Sequence, residues 1–374
     1  MVVPALLFLI TLALLFVYAR QLGSYGRHVQ PQPFYAPLSR DFPTVSVIIP
    51  ARNEAANIGR CLTSLQKLDY PKEKLEIIVV DDQSEDDTAA IAASYPVTLI
   101  RSSPPPGTIA FKKAALAAGI ASASGEIIFT TDADCTVQPK WLSVMVAALL
   151  QQEAMLVAGP VRMVPDSRFL SRFQALDYAI LQGITAAAIQ GRLHDMSSGA
   201  NLAYYRKAFL DVDGFSGIDD IASGDDMLLM QKISGAYPGR VCYCFSRDAI
   251  VDTATENSWK LFLRQRIRWA SKATRYRDRK LFRILLNVYL LNLCLFLMMC
   301  TSWMSIWQFG ASLFLIAAKT AIEWSFVSKV LRFFSLGHLM PWFLPSQPLH
   351  ILYTVISGLF GRAGSYAWKG RNVK

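Results

Sequence analysis

The chain has 374 residues, of which 53% are hydrophobic and only 18% are charged, against about 25% in an ordinary soluble domain. This composition excludes a disordered chain, a fibrous chain and a small disulfide-linked scaffold, and it argues against a wholly soluble protein. The net charge is +10, and most of it lies between Lys260 and Arg283, a basic band that predicts contact with anionic lipid rather than with nucleic acid.

The first predicted element is a membrane anchor at residues 1–20. Eighteen residues from Val2 onward carry no charge, and at ~1.5 Å per residue they just span a ~30 Å hydrocarbon core. The stretch lacks the basic start and the small-residue cleavage site of a signal peptide, so we expect an uncleaved helix. Arg20 and Arg27 follow it, which favours a cytoplasmic position for the next domain. A linker is predicted at 21–40.

Strands and helices alternate through the soluble domain predicted at 41–255. Short buried strands are expected at Val45–Pro50, Glu76–Val80, Val97–Ile100 and Ile127–Thr130, with helices between them. This alternation predicts an α/β fold with a mostly parallel sheet whose faces are covered. The sequence contains no G-x-G-x-x-G and no G-x-x-x-x-G-K-[ST], which argues against a dinucleotide fold and a P-loop.

Polar residues follow three of these strands, at Arg52–Glu54, Asp81–Asp82 and Asp132–Asp134. Ligands of such sheets bind beyond the carboxyl ends of the strands, so the three clusters should meet in one crevice. Asp132 and Asp134 form a D-x-D in which extended backbone would point both side chains the same way. Two carboxylates can hold Mg²⁺ or Mn²⁺ together with substrate phosphates.

Three further polar groups each admit two roles. Asp81–Asp82 could cap the next helix or accept a hydrogen bond from a nucleotide base. Lys112 or Lys113 could pair with a phosphate or lie on a solvated helix face. The stretch Ser223–Asp226 could cap a helix or supply the general base that deprotonates an acceptor hydroxyl.

A basic amphipathic helix is predicted from Trp259 to Arg283, within a segment at 256–283, and should lie on the membrane surface. Its Gln265, Arg268 and Trp269 form a Q-x-x-R-W sequence. Arg268 and Trp269 could be interfacial anchors, or they could contact a sugar ring and a leaving diphosphate.

Transmembrane and interfacial segments are predicted at 284–366. The stretch Ile284–Ala318 carries no Asp, Glu, Lys or Arg and has the length of most of two spans, with a turn expected at Ser302–Ser305. Lys319 and Glu323 lie four residues apart and could pair on one helix face.

A third apolar stretch, Phe333–Gly361, is interrupted by three prolines. Its second part, about Leu349–Phe360, predicts either a short span or a re-entrant segment. The positive-inside rule favours a cytoplasmic position for the basic tail at 367–374, whereas an odd number of further spans would place it outside. Both topologies stay open at this point.

In order along the chain, these residues resemble the motifs of membrane-integrated family 2 glycosyltransferases of the GT-A fold, such as ceramide glucosyltransferase and the cellulose and hyaluronan synthases. The resemblance runs from about Thr44 to Trp269. The matching segments are Val45–Glu54, Asp81–Asp82, Phe111–Leu116, Asp132–Asp134, Ser198–Asn201, Asp225–Asp226 and Gln265–Trp269. Phe111 stands where the family usually has glycine, which weakens the match around Lys112.

The resemblance implies inverting transfer from a nucleotide-diphosphate sugar, with a UDP-sugar favoured, and a mixed, mostly parallel GT-A sheet. It assigns the base to Asp226 with Asp225, and the metal, Mg²⁺ or Mn²⁺, to Asp132 and Asp134. The implied donor-binding residues are Pro50, Arg52, Glu54, Asp81, Asp82, Lys112 and Asp132. The implied acceptor or diphosphate contacts are Gly199, Asn201, Gln265, Arg268 and Trp269.

The sequence therefore leaves three functional hypotheses. The first is transfer of a single sugar to a membrane lipid by an integral protein of a bacterial-type inner or plasma membrane, with a cytoplasmic catalytic domain. The second is a processive polysaccharide synthase, against which only about three C-terminal segments are present to form a channel. The third is a non-catalytic membrane scaffold, against which Asp132, Asp134, Asp226 and Trp269 are all present.

Overall fold

The computed structural model describes residues 2–31, 42–105, 107–222, 224–271, 278–361, 366–368 and 371–373. Several predictions fall outside the described residues. They concern residues 32–40 of the linker, Ser223, residues 272–277 of the basic band, and Arg362, Lys369 and Lys374 near the C-terminus.

The strands in chain order are β1 (Val45–Ala51), β2 (Leu75–Asp81), β3 (Thr98–Arg101), β4 (Ile127–Thr130), β5 (Thr136–Val137), β6 (Leu156–Ala158), β7 (Val161–Val164), β8 (Leu202–Tyr205), β9 (Val241–Tyr243), β10 (Val251–Ala254), β11 (Tyr366–Trp368) and β12 (Arg371–Val373). The α-helices are α1 (Val2–His28), α2 (Ile58–Gln66), α3 (Thr88–Ala93), α4 (Phe111–Ser122), α5 (Trp141–Gln151), α6 (Phe169–Gln190), α7 (Arg206–Asp211), α8 (Met227–Ala236), α9 (Trp259–Ala270), α10 (Arg279–Thr301), α11 (Ile306–Phe333) and α12 (Phe343–Phe360). Short 3₁₀ helices occupy Lys72–Lys74, Arg247–Ala249, Ser302–Met304 and Gly337–Trp342.

Contacts divide the chain into two compact units. The α/β unit comprises Gln30–Val164, Ala188–Ala254 and Ser365–Lys374, and the helical unit comprises Met1–Val29, Pro165–Ala187 and Thr255–Gly364. Most of α6 thus lies in the helical unit, although the sequence placed it within the domain at 41–255. The reason is aromatic packing, since the ring of Phe173 on α6 lies 5.6 Å from that of Phe262 on α9 and 6.0 Å from that of Tyr353 on α12.

A seven-stranded sheet in the order β3-β2-β1-β4-β8-β6-β9 forms the centre of the α/β unit. Strand β1 pairs in parallel with β2 and β4, whereas β8 runs antiparallel to β4 and β6. Every residue of β4 and all but Pro50 of β1 are buried, as expected for strands covered on both faces. The predicted fold class, α/β with a mixed and mostly parallel sheet, is confirmed.

Helix α4 lies directly on this sheet because Gly119 has no side chain. A Cβ atom at Gly119 would lie 2.6 Å from Cγ2 of Ile48 on β1 and 2.9 Å from Cγ2 of Val80 on β2. This close approach fixes α4 across two strands and holds its first turn, with Lys112, beside the residues that follow β4.

In the helical unit, α1, α10 and α11 are long and apolar enough to cross a membrane by length and composition. They indicate membrane association, and the predicted turn at Ser302–Ser305 is confirmed by the 3₁₀ helix there. Helix α1 continues past the predicted anchor end at residue 20, into the segment predicted as a linker. No proline lies between Gln21 and His28 to end the helix, and Arg27 and His28 favour its C-terminal turn.

The expected pair between Lys319 and Glu323 of α11 is confirmed, with Nζ 2.7 Å from Oε1. Both side chains are buried within the helical unit and have polar partners on other helices. Gln347 of α12 accepts from Lys319 at 2.8 Å and donates to Glu323 at 2.7 Å, and Tyr18 of α1 donates to Glu323 at 2.5 Å. Helix α12 runs through Pro345 and Pro348 without a break, and among the described residues it is not a fourth candidate span.

The basic helix predicted from Trp259 to Arg283 does not form as one element. Helix α9 ends at Ala270, and α10 begins at Arg279. Asp278 causes the new start, because its side chain accepts a hydrogen bond from the backbone N–H of Lys280 at 2.7 Å and caps α10. The basic residues after Asp278 therefore open a candidate membrane span instead of extending a surface helix.

Candidate functional site

The loop after β1 is tied to the loop after β2 by Arg52. The guanidinium is buried and donates to the backbone carbonyls of Asp82 at 2.9 Å and Gln83 at 2.5 Å, and it also pairs with Glu85. Five donors in a planar fork suit arginine to bridge several acceptors at once. Arg52 thus braces the two loops, and direct donor binding by Arg52 and the adjacent Pro50 stays a prediction.

The acidic residues of these loops lie at one edge of the sheet, as the sequence predicted. Asp81 and Asp82 are both buried, and Asp81 Oδ1 accepts from the backbone N–H of Ser84 at 3.3 Å. Glu54 is held through its backbone N–H, which donates to Thr88 Oγ1 at 2.7 Å, and through Oε2, which accepts from Asn57 at 2.8 Å.

The D-x-D lies just after β4. Ligand atoms of Asp132, Asp134 and Cys135 all lie within 4.8 Å of one another. Burial and the charge of Asp134 raise the pKa of the Cys135 thiol well above its usual value, so the thiol stays protonated and donates to Asp134 Oδ1 at 3.5 Å. A protonated thiol is a poor partner for a hard cation, whereas the two carboxylates fit Mg²⁺ or Mn²⁺.

Lys112 joins the D-x-D to the acidic pair that begins α8. Its Nζ lies 2.7 Å from Oδ1 of Asp132 and 3.1 Å from Oδ2 of Asp225. Burial of Lys112 opposes its charged form, but the two carboxylates outweigh burial and raise the pKa of the ammonium. Of the three clusters predicted to meet in one crevice, Lys112 contacts only the D-x-D, and its second partner Asp225 was not among them.

Asp226 caps α8, which confirms the capping role left open by the sequence. Its Oδ1 accepts from the backbone N–H of Met227 at 2.7 Å, and its Oδ2 accepts from the backbone N–H of Gly199 at 3.1 Å. Gly199 packs closely against the cluster, because a Cβ atom there would lie 2.9 Å from Oδ2 of Asp225 and 3.4 Å from Nζ of Lys112.

The side chain of Asn201 is bonded inside the α/β unit, whereas the sequence predicted a contact with the sugar acceptor. Its side chain is fully buried and donates to the carbonyls of Pro160 and Ala249, each at 2.8 Å. Its Oδ1 accepts from Nε1 of Trp141 at 2.9 Å. Both donors and the acceptor are thus used inside the α/β unit, so Asn201 fixes the start of β8 and does not present its amide to a ligand.

Lys113 is a residue whose role sequence reasoning missed. It is buried, and its Nζ donates to the carbonyls of Ile218 at 2.6 Å and Ile221 at 2.7 Å, in the loop that leads to Asp225. Both alternatives from the sequence, a phosphate contact and a solvated face, are therefore wrong for Lys113. The sequence did hold one signal, because adjacent residues on a helix point about 100° apart. Lys112 and Lys113 could therefore not both face the same site.

The Q-x-x-R-W residues lie on α9 in the helical unit. Gln265 donates to Glu256 at 3.2 Å and accepts from Arg266 at 3.0 Å. The ring of Trp269 stands 4.3 Å from the guanidinium carbon of Arg266 and 5.7 Å from the ring of Tyr178. Arg268 is half-buried. Trp269 is therefore held by neighbours on both sides.

Arg266 is the second residue whose role the sequence did not reveal. The sequence grouped Arg266 with the charges of the basic band expected to contact lipid. In the structure its side chain is buried, and its Nη2 lies 2.9 Å from Oδ2 of Asp177 on α6. His350 Nδ1 and Tyr353 Oη of α12 lie 3.1 Å and 2.6 Å from the other oxygen of Asp177. Asp177, a lone acid within an apolar helix, was the available signal.

Known proteins share parts of this sequence. Residues 46–212 match the profile of Glycosyl transferase family 2. A probable glycosyltransferase of Bacillus subtilis, YdaM, is 31% identical over 240 residues, which cover 62% of this chain and 55% of that protein. The chain thus spans about half the length of this relative.

Two further proteins are similar to this chain. The beta-monoglucosyldiacylglycerol synthase of Synechocystis is 36% identical over 101 residues, which cover 26% of this chain and 21% of that protein. The mannosyltransferase PcManGT of Pyrobaculum calidifontis, solved in complex with GDP-Man and Mn²⁺, superposes with a TM-score of 0.55 at 22% identity, covering 92% of this chain and 99% of that one. The second likeness shows a shared fold.

Proposed function

Because residues 46–212 form a Glycosyl transferase family 2 domain, we propose that this protein transfers one sugar from a nucleotide-diphosphate sugar to a lipid acceptor. The observation that carries the proposal is the cluster in which Lys112 contacts both Asp132 after β4 and Asp225 before α8. It gathers carboxylates for a metal, a cation for phosphate and a candidate base at the edge of the sheet where such folds bind ligands.

In the proposed reaction the acceptor hydroxyl oxygen attacks the anomeric carbon and the bond from that carbon to the diphosphate breaks. The hydroxyl proton passes to Asp226, whose two backbone N–H contacts fix the direction of the carboxylate. An ionised carboxylate has about four lone-pair sites, so after accepting two hydrogen bonds it can still take up one proton. Asp225 holds Lys112, and Lys112 offers its charge to the departing diphosphate.

Asp132 and Asp134 are the residues that would hold Mg²⁺ or Mn²⁺ in this proposal. A bound divalent cation would neutralise charge that develops on the leaving diphosphate. Support comes from the chemistry of the donor set, two carboxylates within 4.8 Å of each other. The archaeal mannosyltransferase of the same fold was solved with Mn²⁺. A UDP-sugar is the donor we favour.

The lipid acceptor is supported by three apolar helices of spanning length and by the relative whose name denotes a glycosylated diacylglycerol. The proposed setting is a bacterial-type inner or plasma membrane, with the α/β unit in the cytoplasm where nucleotide sugars are available. Arg20 and Arg27, in the C-terminal part of α1, favour that orientation.

The test is to incubate the full chain in detergent with Mn²⁺ or Mg²⁺, a panel of UDP-, GDP- and dTDP-sugars and a total lipid extract. Nucleotide release and product mass are followed, with Asp226→Asn as the inactive control. A lipid one sugar heavier is the expected product. A ladder of masses would indicate a processive synthase, and absence of nucleotide release from every donor would indicate a scaffold.

A further inference from the structure

Lys112 occupies a position where a single cation serves carboxylates from two different loops. Its Nζ is 2.7 Å from Asp132 and 3.1 Å from Asp225, and the side chain is only 22% exposed. Asp225 is 10% exposed, and Asp132 is the more open partner at 35%. The ammonium therefore neutralises acidic groups that would otherwise repel one another.

The groups around this contact are held in place by other bonds. The loop before Asp225 is anchored by Lys113, whose Nζ donates hydrogen bonds to the carbonyls of Ile218 and Ile221. Gly199 closes the other side, since its backbone N–H is bonded to Asp226 and a Cβ atom would lie 3.4 Å from Nζ of Lys112. The flexible member of the cluster is the long side chain of Lys112 itself, with four rotatable carbon–carbon bonds.

In this arrangement Lys112 and a divalent cation compete for Asp132. The ammonium uses Oδ1 of Asp132, one of the carboxylates that fit Mg²⁺ or Mn²⁺. A dication held by Asp132 would be repelled by an ammonium a few ångströms away, and the repulsion is stronger in a partly buried site than in water. Both cations bind well together only when further negative charge enters the site.

The donor that we propose brings that charge as a diphosphate. Phosphate oxygens are strong acceptors for a lysine ammonium, and they ligate Mg²⁺ or Mn²⁺ at the same time. Lys112 can therefore leave Asp132 for the diphosphate at little cost, and the carboxylate then becomes available to the metal.

We propose that Lys112 is an internal counter-cation that holds Asp132 until the diphosphate of the donor draws it away, so that metal and nucleotide bind cooperatively. The inference rests on the proposed function and deepens it, because it assigns an order to the filling of that same site. Linkage requires the effect to be reciprocal: the factor by which UDP raises Mn²⁺ affinity equals the factor by which Mn²⁺ raises UDP affinity.

The experiment measures Mn²⁺ binding by electron paramagnetic resonance on the full chain in detergent, with no sugar present. Lys112→Met removes the ammonium and keeps much of the chain length, whereas Lys112→Arg keeps the charge. Lys72→Met removes the same charge from an exposed 3₁₀ helix and serves as the matched control. Each variant is first checked for a thermal transition like that of the parent protein.

We expect Lys112→Met to bind Mn²⁺ alone about tenfold more tightly than the parent. Lys112→Arg and Lys72→Met should bind Mn²⁺ as weakly as the parent. Addition of UDP, corrected for the UDP–Mn²⁺ complex in solution, should raise the Mn²⁺ affinity of the parent by a larger factor than that of Lys112→Met.

Unchanged or weaker Mn²⁺ binding by Lys112→Met would overturn the inference. Should that variant not fold, the parent protein decides alone, since UDP and Mn²⁺ that bind independently would equally overturn it. Mn²⁺ that binds no variant, with or without UDP, also overturns it. The proposed function is judged separately, by nucleotide release from sugar donors in the parent protein, so it survives any of these results if turnover is seen.

Discussion

Two adjacent lysines on α4 show how strongly the role of a residue depends on its direction. Lys112 reaches the carboxylates of the site, and Lys113 reaches backbone carbonyls inside the α/β unit. The sequence predicted a phosphate contact for this pair but could not separate the two, because both partners are distant along the chain. The acidic clusters were easier to place, since each follows a strand of a parallel sheet.

At Asp226 we expect Asp226→Asn to lower kcat by at least about 100-fold, since the amide cannot take up the acceptor proton. Asparagine also caps helices well, so the start of α8 should stay folded. The measurement is kcat together with the affinity for UDP, which should change little. A near-normal kcat would remove Asp226 as the base.

At Asn201 we expect Asn201→Ala to destabilise the fold by about 3 kcal/mol, because the buried indole N–H of Trp141 and two carbonyls lose their partners. Thermal unfolding in detergent measures the loss. A variant of unchanged stability with a raised KM for the acceptor would instead support the direct contact predicted from the sequence.

Among the elements, β1 to β4 and the helices between them were predictable because local and long-range signals agree there. Strand β4 is buried throughout, and α3 (Thr88–Ala93) is one of the helices predicted between the strands. The prediction of one basic helix from Trp259 to Arg283 was wrong, because net charge does not reveal that Asp278 starts a new helix. The placement of α6 with the helical unit could not be predicted either, because it depends on rings from α9 and α12.

Asp177 joins α6 to α9 and α12, and its ion pair predicts a pH dependence. Burial opposes the charged form, but Arg266 and His350 outweigh it and lower the pKa of Asp177 from 3.8 to about 2. A lowered pKa in the folded state gives stabilisation that is present above pH 3.8 and is lost as the pH falls towards about 2.

We therefore expect Asp177→Asn to lower the free energy of unfolding by about 3 kcal/mol at pH 7, because Arg266 stays buried without its ionic partner. The variant should also lose the part of the acid sensitivity that belongs to this carboxylate. Thermal unfolding at neutral and acid pH measures both effects. Asp166→Asn, which removes an exposed pair with Arg168, is the control and should change the unfolding temperature little. Equal behaviour of the two variants would contradict this account.

For the whole molecule, the structure divides the basic band by exposure, which the sequence could not do. Arg266 is buried and paired, whereas five described residues of the band are exposed, namely Lys260, Arg264, Arg279, Lys280 and Arg283. Exposed charges beside an apolar helix attract anionic headgroups by about 1 kcal/mol each near the surface. Among the described residues of the band, these five are the ones we expect to contribute to lipid dependence.

We expect replacement of the five exposed residues by Gln to weaken binding to vesicles that contain anionic lipid and to leave binding to neutral vesicles unchanged. Flotation on vesicles of the two compositions measures the difference. Lys67→Gln with Lys72→Gln removes exposed charge from the α/β unit as a control. Equal loss in the control would reduce the band to a determinant of orientation.

The pair between Lys319 and Glu323 has a consequence for biogenesis. A lone charge at the centre of an inserting helix costs about 3 kcal/mol, but these two side chains lie four residues apart on α11 and neutralise each other within the helix. We therefore expect α11 to enter a bilayer without a polar partner from another helix to neutralise its charges. Tyr18 and Gln347 bond to this ion pair from α1 and α12, so we expect their polar contacts to set how these helices pack on α11 and not whether α11 can insert.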